Sequence, residues 1–313
     1  MEKIKAFLRL ARWSNLVFVA FTQWMFYYCI LEPIFQSKNV QPNIHGNLIY
    51  LLMLSYILVA AAGYIINDYF DLNIDQINKP EKVTIDKYIG RRWAIFFHLL
   101  FTLSSIAIGI YIDTQTHVYI MGFCNFLNGL LLFVYSLSFK KKLLVGNLLI
   151  AFLLAWVIVV ITCCESNQFS ILSHNKMINT QKLLRYTILY GGFAFIINLI
   201  REVIKDMEDV EGDRLYGCRT MPISWGMNAT KVFVAVWMVV LISILSLLQF
   251  YAFQLQWWFF SIYCIVAVIA PLINAFKKLS KAQTAKDFHK ISSLIKIVML
   301  TGIVSMIFFK IYS

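Results

Sequence analysis

The sequence predicts an all-α, polytopic membrane protein, a bundle of nine transmembrane helices forming one domain over residues 1–313. Three observations carry that expectation. The chain is 60% hydrophobic and only 14% charged, against roughly 45–50% and about 25% in soluble domains. Its mean hydropathy is +0.71. Its apolar residues gather into segments of about 20, the length that crosses a bilayer. Together these exclude a disordered chain, a coiled coil, a disulfide scaffold and a water-soluble fold.

In chain order the spans are expected at 15–35, 47–67, 93–112, 117–138, 146–164, 185–205, 230–253, 257–276 and 291–310. The opening stretch MEKIKAFLRLARWSN is basic and amphipathic, and no small-residue cleavage site follows it, so it reads as a cytoplasmic end. With the N-terminus inside, the cytoplasmic connections and their edges hold 22 of the 28 Lys and Arg residues. The positive-inside rule then gives an N-in, C-out chain. The net charge of +12 belongs on this reading to loops facing anionic lipid, and nucleic acid is not an expected partner. With no transit-like leader, the expected location is a bacterial inner membrane with the active site on its cytoplasmic side. The six cysteines make no C-x-x-C pair and behave as small hydrophobes, and the five histidines are never at metal-ligand spacing.

The acids are placed unevenly. Of 16, nine sit in two short strings: Asp68, Asp71 and Asp75 in GYIINDYFDLNIDQINKP, and Glu202, Asp206, Glu208, Asp209, Glu211 and Asp213 in REVIKDMEDVEGDR. Each string lies at the cytoplasmic end of a span, where charge is costly and marks function. Asp68, Asp71 and Asp75 stand at i, i+3 and i+7, within roughly 60° of one helix face. Asp206, Asp209 and Asp213 repeat that spacing 138 residues later. The pair reads as a parallel internal repeat about a pseudo-twofold axis. These six aspartates are the candidate catalytic acids. Two facing carboxylate sets repel unless a hard divalent cation lies between them, and Mg²⁺ commonly brings substrate phosphates as its further ligands. Arg201 and Lys205 share the second acidic helix, and Lys82 follows the first string, an interleaving of acid and base that suits a diphosphate. Amides recur near the cytoplasmic halves of spans, among them Asn15, Asn67 and Asn198, while Asn125, Asn128 and Asn274 suit helix–helix contacts.

At this point the residues resemble a known family. The string from Asn67 to Asp75, N-D-Y-F-D-L-N-I-D, is similar to the N-D-x-x-D-x-x-x-D motif of the UbiA superfamily of intramembrane prenyltransferases. The string from Lys205 to Arg214 resembles its second motif, and Arg9, Arg12, Asn15, Tyr135, Lys140, Gly146 and Asn147 are smaller echoes. Within the superfamily the second string is most similar to the branch that makes archaeal-type ether lipids. One departure is Lys79 and Lys82 where that branch carries arginines, which removes the bidentate fork.

The resemblance implies two Mg²⁺ ions held by Asn67, Asp71 and Asp75 on one side and by Asp209 and Asp213 on the other, gripping a polyprenyl diphosphate donor. Asp68 and Asp206 then either join those ligands or support them from behind, and Arg201, Lys205, Lys140 and Lys82 take the remaining phosphate charge. Asn15, Tyr64, Tyr69, Tyr135 and Asn198 are the expected substrate-pocket residues, with the aromatic faces beside an allylic cation. The implied acceptor is lipophilic, foremost geranylgeranylglyceryl phosphate, with 4-hydroxybenzoate or dihydroxynaphthoate prenylation as the alternative. A transporter is the rival of another class, but its charges belong at the bilayer midplane in interrupted helices.

Overall fold

The computed structural model describes residues 2–37, 39–78, 83–168 and 180–312. A short amphipathic helix α1 (Glu2–Leu10) is followed by α2 (Trp13–Gln36), α3 (Asn47–Phe70), α4 (Leu72–Asn78), α5 (Arg91–Thr116), α6 (Met121–Leu137) and α7 (Val145–Cys163). After these come α8 (Thr180–Glu208), α9 (Val210–Leu215), α10 (Met221–Ser224), α11 (Met227–Gln254), α12 (Trp258–Lys281) and α13 (Ala285–Tyr312). Among the described residues eight helices are long and apolar enough to cross a membrane: α2, α3, α5, α7, α8, α11, α12 and α13. The expected fourth span, 117–138, forms the 17-residue α6. At 1.5 Å per residue α6 reaches about 25 Å, short of the ~30 Å apolar thickness. It is cut back because His117 and Tyr119 turn into the left-handed region ahead of it.

The helices pack through small residues where backbones must approach. A Cβ on Gly109 of α5 would lie 2.9 Å from the Met121 carbonyl oxygen at the start of α6. Across the same seam Asn125 donates to the Ser105 carbonyl at 2.8 Å, the helix–helix use expected of it. The interior divides into two large apolar clusters. One gathers Phe26, Phe35, Leu52, Tyr56, Ile161 and Phe309. The other gathers Leu199, Val203, Met238, Leu272, Phe288 and Ile295. Among the described residues two helices contain π-helical turns, Tyr27–Leu31 in α2 and Cys264–Ile269 in α12. Pro33 and Pro271 follow them; a proline lacks an N–H to donate, and the wider turn absorbs the mismatch.

The expected continuous acidic faces are corrected in one respect. The first helix stops at Phe70, with Asp71 at φ −89°, ψ 0°, and α4 resumes at Leu72. The second stops at Glu208, with Asp209 at φ −97°, ψ 9°, and α9 resumes at Val210. Each middle aspartate thus sits at a break, in the sparsely populated bridge region where many active-site residues lie. The backbone ladder resumes just past each break, where the Asp75 N–H donates to the Asp71 carbonyl at 2.8 Å and the Asp213 N–H to the Asp209 carbonyl at 3.2 Å. The bend re-aims the chain, and past the second bend the Gly212 N–H leaves the helical ladder for Asn78 Oδ1.

Two buried acids outside the motifs have structural work at the other end of the bundle. Asp113 accepts from the backbone N–H groups of Ile120, Met121 and Gly122 at 2.8–3.0 Å, covering the start of α6. Glu165 accepts from the N–H groups of Asn43 and Ile44 at 2.8 and 3.1 Å, and burial pushes its carboxyl up to about 7. The folded chain therefore keeps a proton on Glu165 that the unfolded chain has released. Stability from this group is complete below pH ~4.5 and is lost as pH rises towards 7, by about 3 kcal/mol. Thermal unfolding of the detergent-solubilised protein across pH 4.5–8 is expected to show this decline, and Glu165→Gln to remove that part of the slope.

Candidate active site

Where α3 and α8 break, the six motif aspartates line one cavity of about 730 Å³. The cavity is polar at this end. Further along it is walled by Val59, Leu132, Leu153, Ile197 and Met299. A charged head and an apolar tail can therefore share it.

The acids are held by cations. Arg12 lies between α1 and α2 in the left-handed region at φ 51°, which turns its guanidinium onto Asp68 at 2.7 Å and over the Tyr64 ring at 5.0 Å. Lys140, on a one-turn 3₁₀ segment, pairs with Asp71. That segment can lie against α7 because residue 146 is glycine: a Cβ there would be 2.9 Å from the Phe139 carbonyl oxygen. Burial opposes the Lys140 charge, but Asp71, Tyr135 and Asp75 outweigh it and hold the ammonium above its usual range. Asn147 donates to Asp206 at 2.8 Å. Glu202 takes Lys205 at 3.0 Å and Arg201 at 3.3 Å. Burial, then the neighbouring Asp71 charge, pushes the Asp75 carboxyl up to about 6.

The residues fit a hard cation. Asn67 donates its amide N–H to Asp71 at 2.6 Å, while its Oδ1 is buried with no hydrogen-bond partner. A buried amide oxygen beside carboxylates is an oxygen ligand in waiting. Among the described residues no three Asp, Glu, His or Cys side chains close a metal shell by themselves. An ion here therefore needs Asn67 and ligands from outside the protein, as Mg²⁺ usually does.

Of the expected residues, Asn15, Asn67, Tyr64, Tyr135, Lys140, Asn198, Arg201 and Lys205 all line the cavity with the aspartates. Lys82 lies outside the described residues. Tyr69 is a correction. It stands about 100° round the helix from Asp68, stacks edge-on with Phe70 at 5.3 Å, and packs on a cluster of Leu10, Ile65, Leu72 and Ile85. Asn128, expected to serve helix contact, also reaches the cavity.

Sequence reasoning missed Glu202 as an anchor for two cations and Lys296 as a cavity residue. The signals were an acid at i, i+3 from Lys205 and a lysine inside an apolar span. It also missed Asn78, which ties the motif loops together: its amide donates to the Asp209 carbonyl at 3.1 Å and its Oδ1 accepts from the Gly212 N–H at 2.9 Å. A Cβ on Gly212 would lie 2.5 Å from Asn78 Oδ1.

Comparison with known proteins follows the same lines. The sequence pattern of the UbiA prenyltransferase family matches residues 16–299. The digeranylgeranylglyceryl phosphate synthase of Methanosphaera stadtmanae is 32% identical over 250 residues, covering 79% of this chain and 82% of the relative. A solved structure described as digeranylgeranylglyceryl phosphate synthase shares the fold at a TM-score of 0.60 and 23% identity, covering 98% of this chain and 99% of the other. A UbiA homolog from Archaeoglobus fulgidus bound to DMAPP and Mg²⁺ does so at 0.54 and 16% identity, covering 96% and 98%. Such relatives are archaeal, which runs against the bacterial membrane expected from the sequence.

Loss of the loop clamp is the test of this geometry. Asn78→Ala is expected to weaken Mg²⁺ dependence by roughly 10–100-fold, the usual effect of removing a group that orients metal ligands. Gly212→Ala should do the same by displacing Asn78. Both are read as the Mg²⁺ concentration giving half-maximal activity, with thermal unfolding as the folding control.

Proposed function

The chain belongs to the UbiA prenyltransferase family, and we propose that it transfers a geranylgeranyl group from its diphosphate to geranylgeranylglyceryl phosphate. One observation carries the reading: two aspartate strings 138 residues apart line the charged end of a single cavity whose far part is walled by Val59, Leu132, Leu153, Ile197 and Met299. The name of the Methanosphaera relative supports the acceptor.

Asn67, Asp71 and Asp75 would hold one Mg²⁺ and Asp209 and Asp213 a second, in two halves related as an internal repeat. Ions bound there would supply positive charge to the departing diphosphate. Arg12 and Asn147 orient Asp68 and Asp206 behind these ligands. Lys140 and Lys205 donate to phosphate oxygens as the C–O bond ionises, an electrostatic aid at the atom where charge grows. The rings of Tyr64 and Tyr135 face the cavity and stabilise the allylic cation through their quadrupoles. The apolar walls exclude the water that would capture that cation. The acceptor hydroxyl attacks the allylic carbon and loses its proton. With α6 as the ninth crossing, both motif loops and the basic loops face the cytoplasm.

Purified protein with labelled geranylgeranyl diphosphate and Mg²⁺ is expected to label geranylgeranylglyceryl phosphate, and neither 4-hydroxybenzoate nor dihydroxynaphthoate. EDTA should abolish transfer, and Asp71→Asn or Asp209→Asn should lower it by roughly 100-fold or more. Labelling of an aromatic acceptor instead would replace the proposed acceptor. A chain that labels none, and binds donor regardless of Mg²⁺, is not working through this site.

A further inference from the structure

We propose that Lys296, with Asn15 and Arg201, forms a second anion-binding pole of the cavity that holds the phosphate monoester of the acceptor. The assignment rests on the reading above that the acceptor is a lipid phosphate.

Transfer between two phosphorylated lipids requires the cavity to hold two anions separately, a diphosphate at the aspartates and a monoester elsewhere. Four cavity cations are already matched to carboxylates: Arg12 to Asp68, Lys140 to Asp71, and Arg201 and Lys205 to Glu202. Lys296 differs. It projects from α13 into the cavity, and among the described residues its Nζ meets no carboxylate. It donates instead to the neutral Asn15 Oδ1 at 3.1 Å and lies 5.1 Å over the Phe18 ring. An ammonium inside a span with only an amide and a ring for company is costly unless an anion joins it.

A second observation points to the same place. Arg201 uses its Nη1 on Glu202, but its Nε is buried with no hydrogen-bond partner. The register of the two helices sets the depth. His289 of α13 meets Glu208 of α8 at 3.0 Å. The helices run antiparallel, Lys296 is seven residues beyond His289, and Arg201 is seven before Glu208. Both therefore stand ~10 Å above that contact, at one level. Asp209 is eight residues from Arg201, ~12 Å along the same axis. The second pole is thus separated from the metal-binding aspartates by about two turns, so one cavity holds both anions without superposing them. Asn198 is one turn further in, with Oδ1 buried and without a partner, an acceptor for a substrate hydroxyl.

The test is steady-state kinetics with donor and acceptor varied separately, on wild type, Lys296→Met and Lys296→Arg. Methionine keeps the length of the side chain and suits an apolar span. Lys296→Met is expected to raise the acceptor KM about 10–100-fold, the worth of a charge-assisted hydrogen bond, with donor KM and Mg²⁺ dependence within about twofold. Lys296→Arg should restore most of the acceptor affinity. Wild type should prefer geranylgeranylglyceryl phosphate over geranylgeranylglycerol, and Lys296→Met should lose that preference. Asn15→Ala, which releases Lys296 without removing it, should raise acceptor KM less and leave donor KM alone; this also serves if Lys296→Met fails to fold. An unchanged acceptor KM, or equal rises for both substrates, would overturn the assignment while wild-type transfer still upheld the acceptor. A wild type inert towards every lipid phosphate would overturn the acceptor reading itself.

Discussion

The constraint on which the rest depends is the gathering of carboxylates from two distant segments around one poorly hydrated space. Two unit charges 4 Å apart repel by about 4 kcal/mol even at an effective dielectric of 20. The bundle answers with fixed cations and amides. Arg12 is spent on Asp68, Lys140 on Asp71 and Asn147 on Asp206. Arg12 sits in a strained left-handed turn, and the 3₁₀ turn of Lys140 is seated against Gly146. These local features make sense only as ways to bring charge to the acids.

The same constraint explains the matched helix breaks. A straight helix would carry Asp71 and Asp75 up one wall, and Asp209 and Asp213 up the opposite one. Bending at Asp71 and at Asp209 turns α4 and α9 across the mouth of the cavity, where Asn78 joins them. The backbone ladder resumes just past each bend, so the site remains anchored to two long helices. Preorganisation of this kind holds donors and ligands in place before charge develops.

Buried charge elsewhere serves different ends. Asp113 and Glu165 satisfy helix-start and loop amides far from the cavity, so a buried acid in this protein is not by itself a mark of chemistry. Position decides. Acids that meet backbone N–H groups hold the fold together, while the acids around the cavity meet arginine, lysine and amide side chains. Lys296 differs from the other cations there: among the described residues it meets an amide and no carboxylate.

The membrane class, the family and most of the residues that line the cavity were legible in the sequence, because lipid imposes long apolar runs and makes each surviving charge conspicuous. The strings around Asp71 and Asp209 could be read by spacing alone, and Arg201 and Lys205 by sharing a helix with acid. Tertiary structure decided what depends on partners distant in the chain. Tyr69 turns from the cavity onto the cluster of Leu10, Ile65, Leu72 and Ile85, which α1 and the loop before α5 complete. Asn78 matters because Gly212, more than 130 residues later, leaves room for it. Lys296 acquires its meaning from Asn15 and Arg201, which hydropathy cannot place at its level. Composition records what a segment must avoid in lipid; which side chains meet is set by helix register, and register is fixed only when the bundle packs.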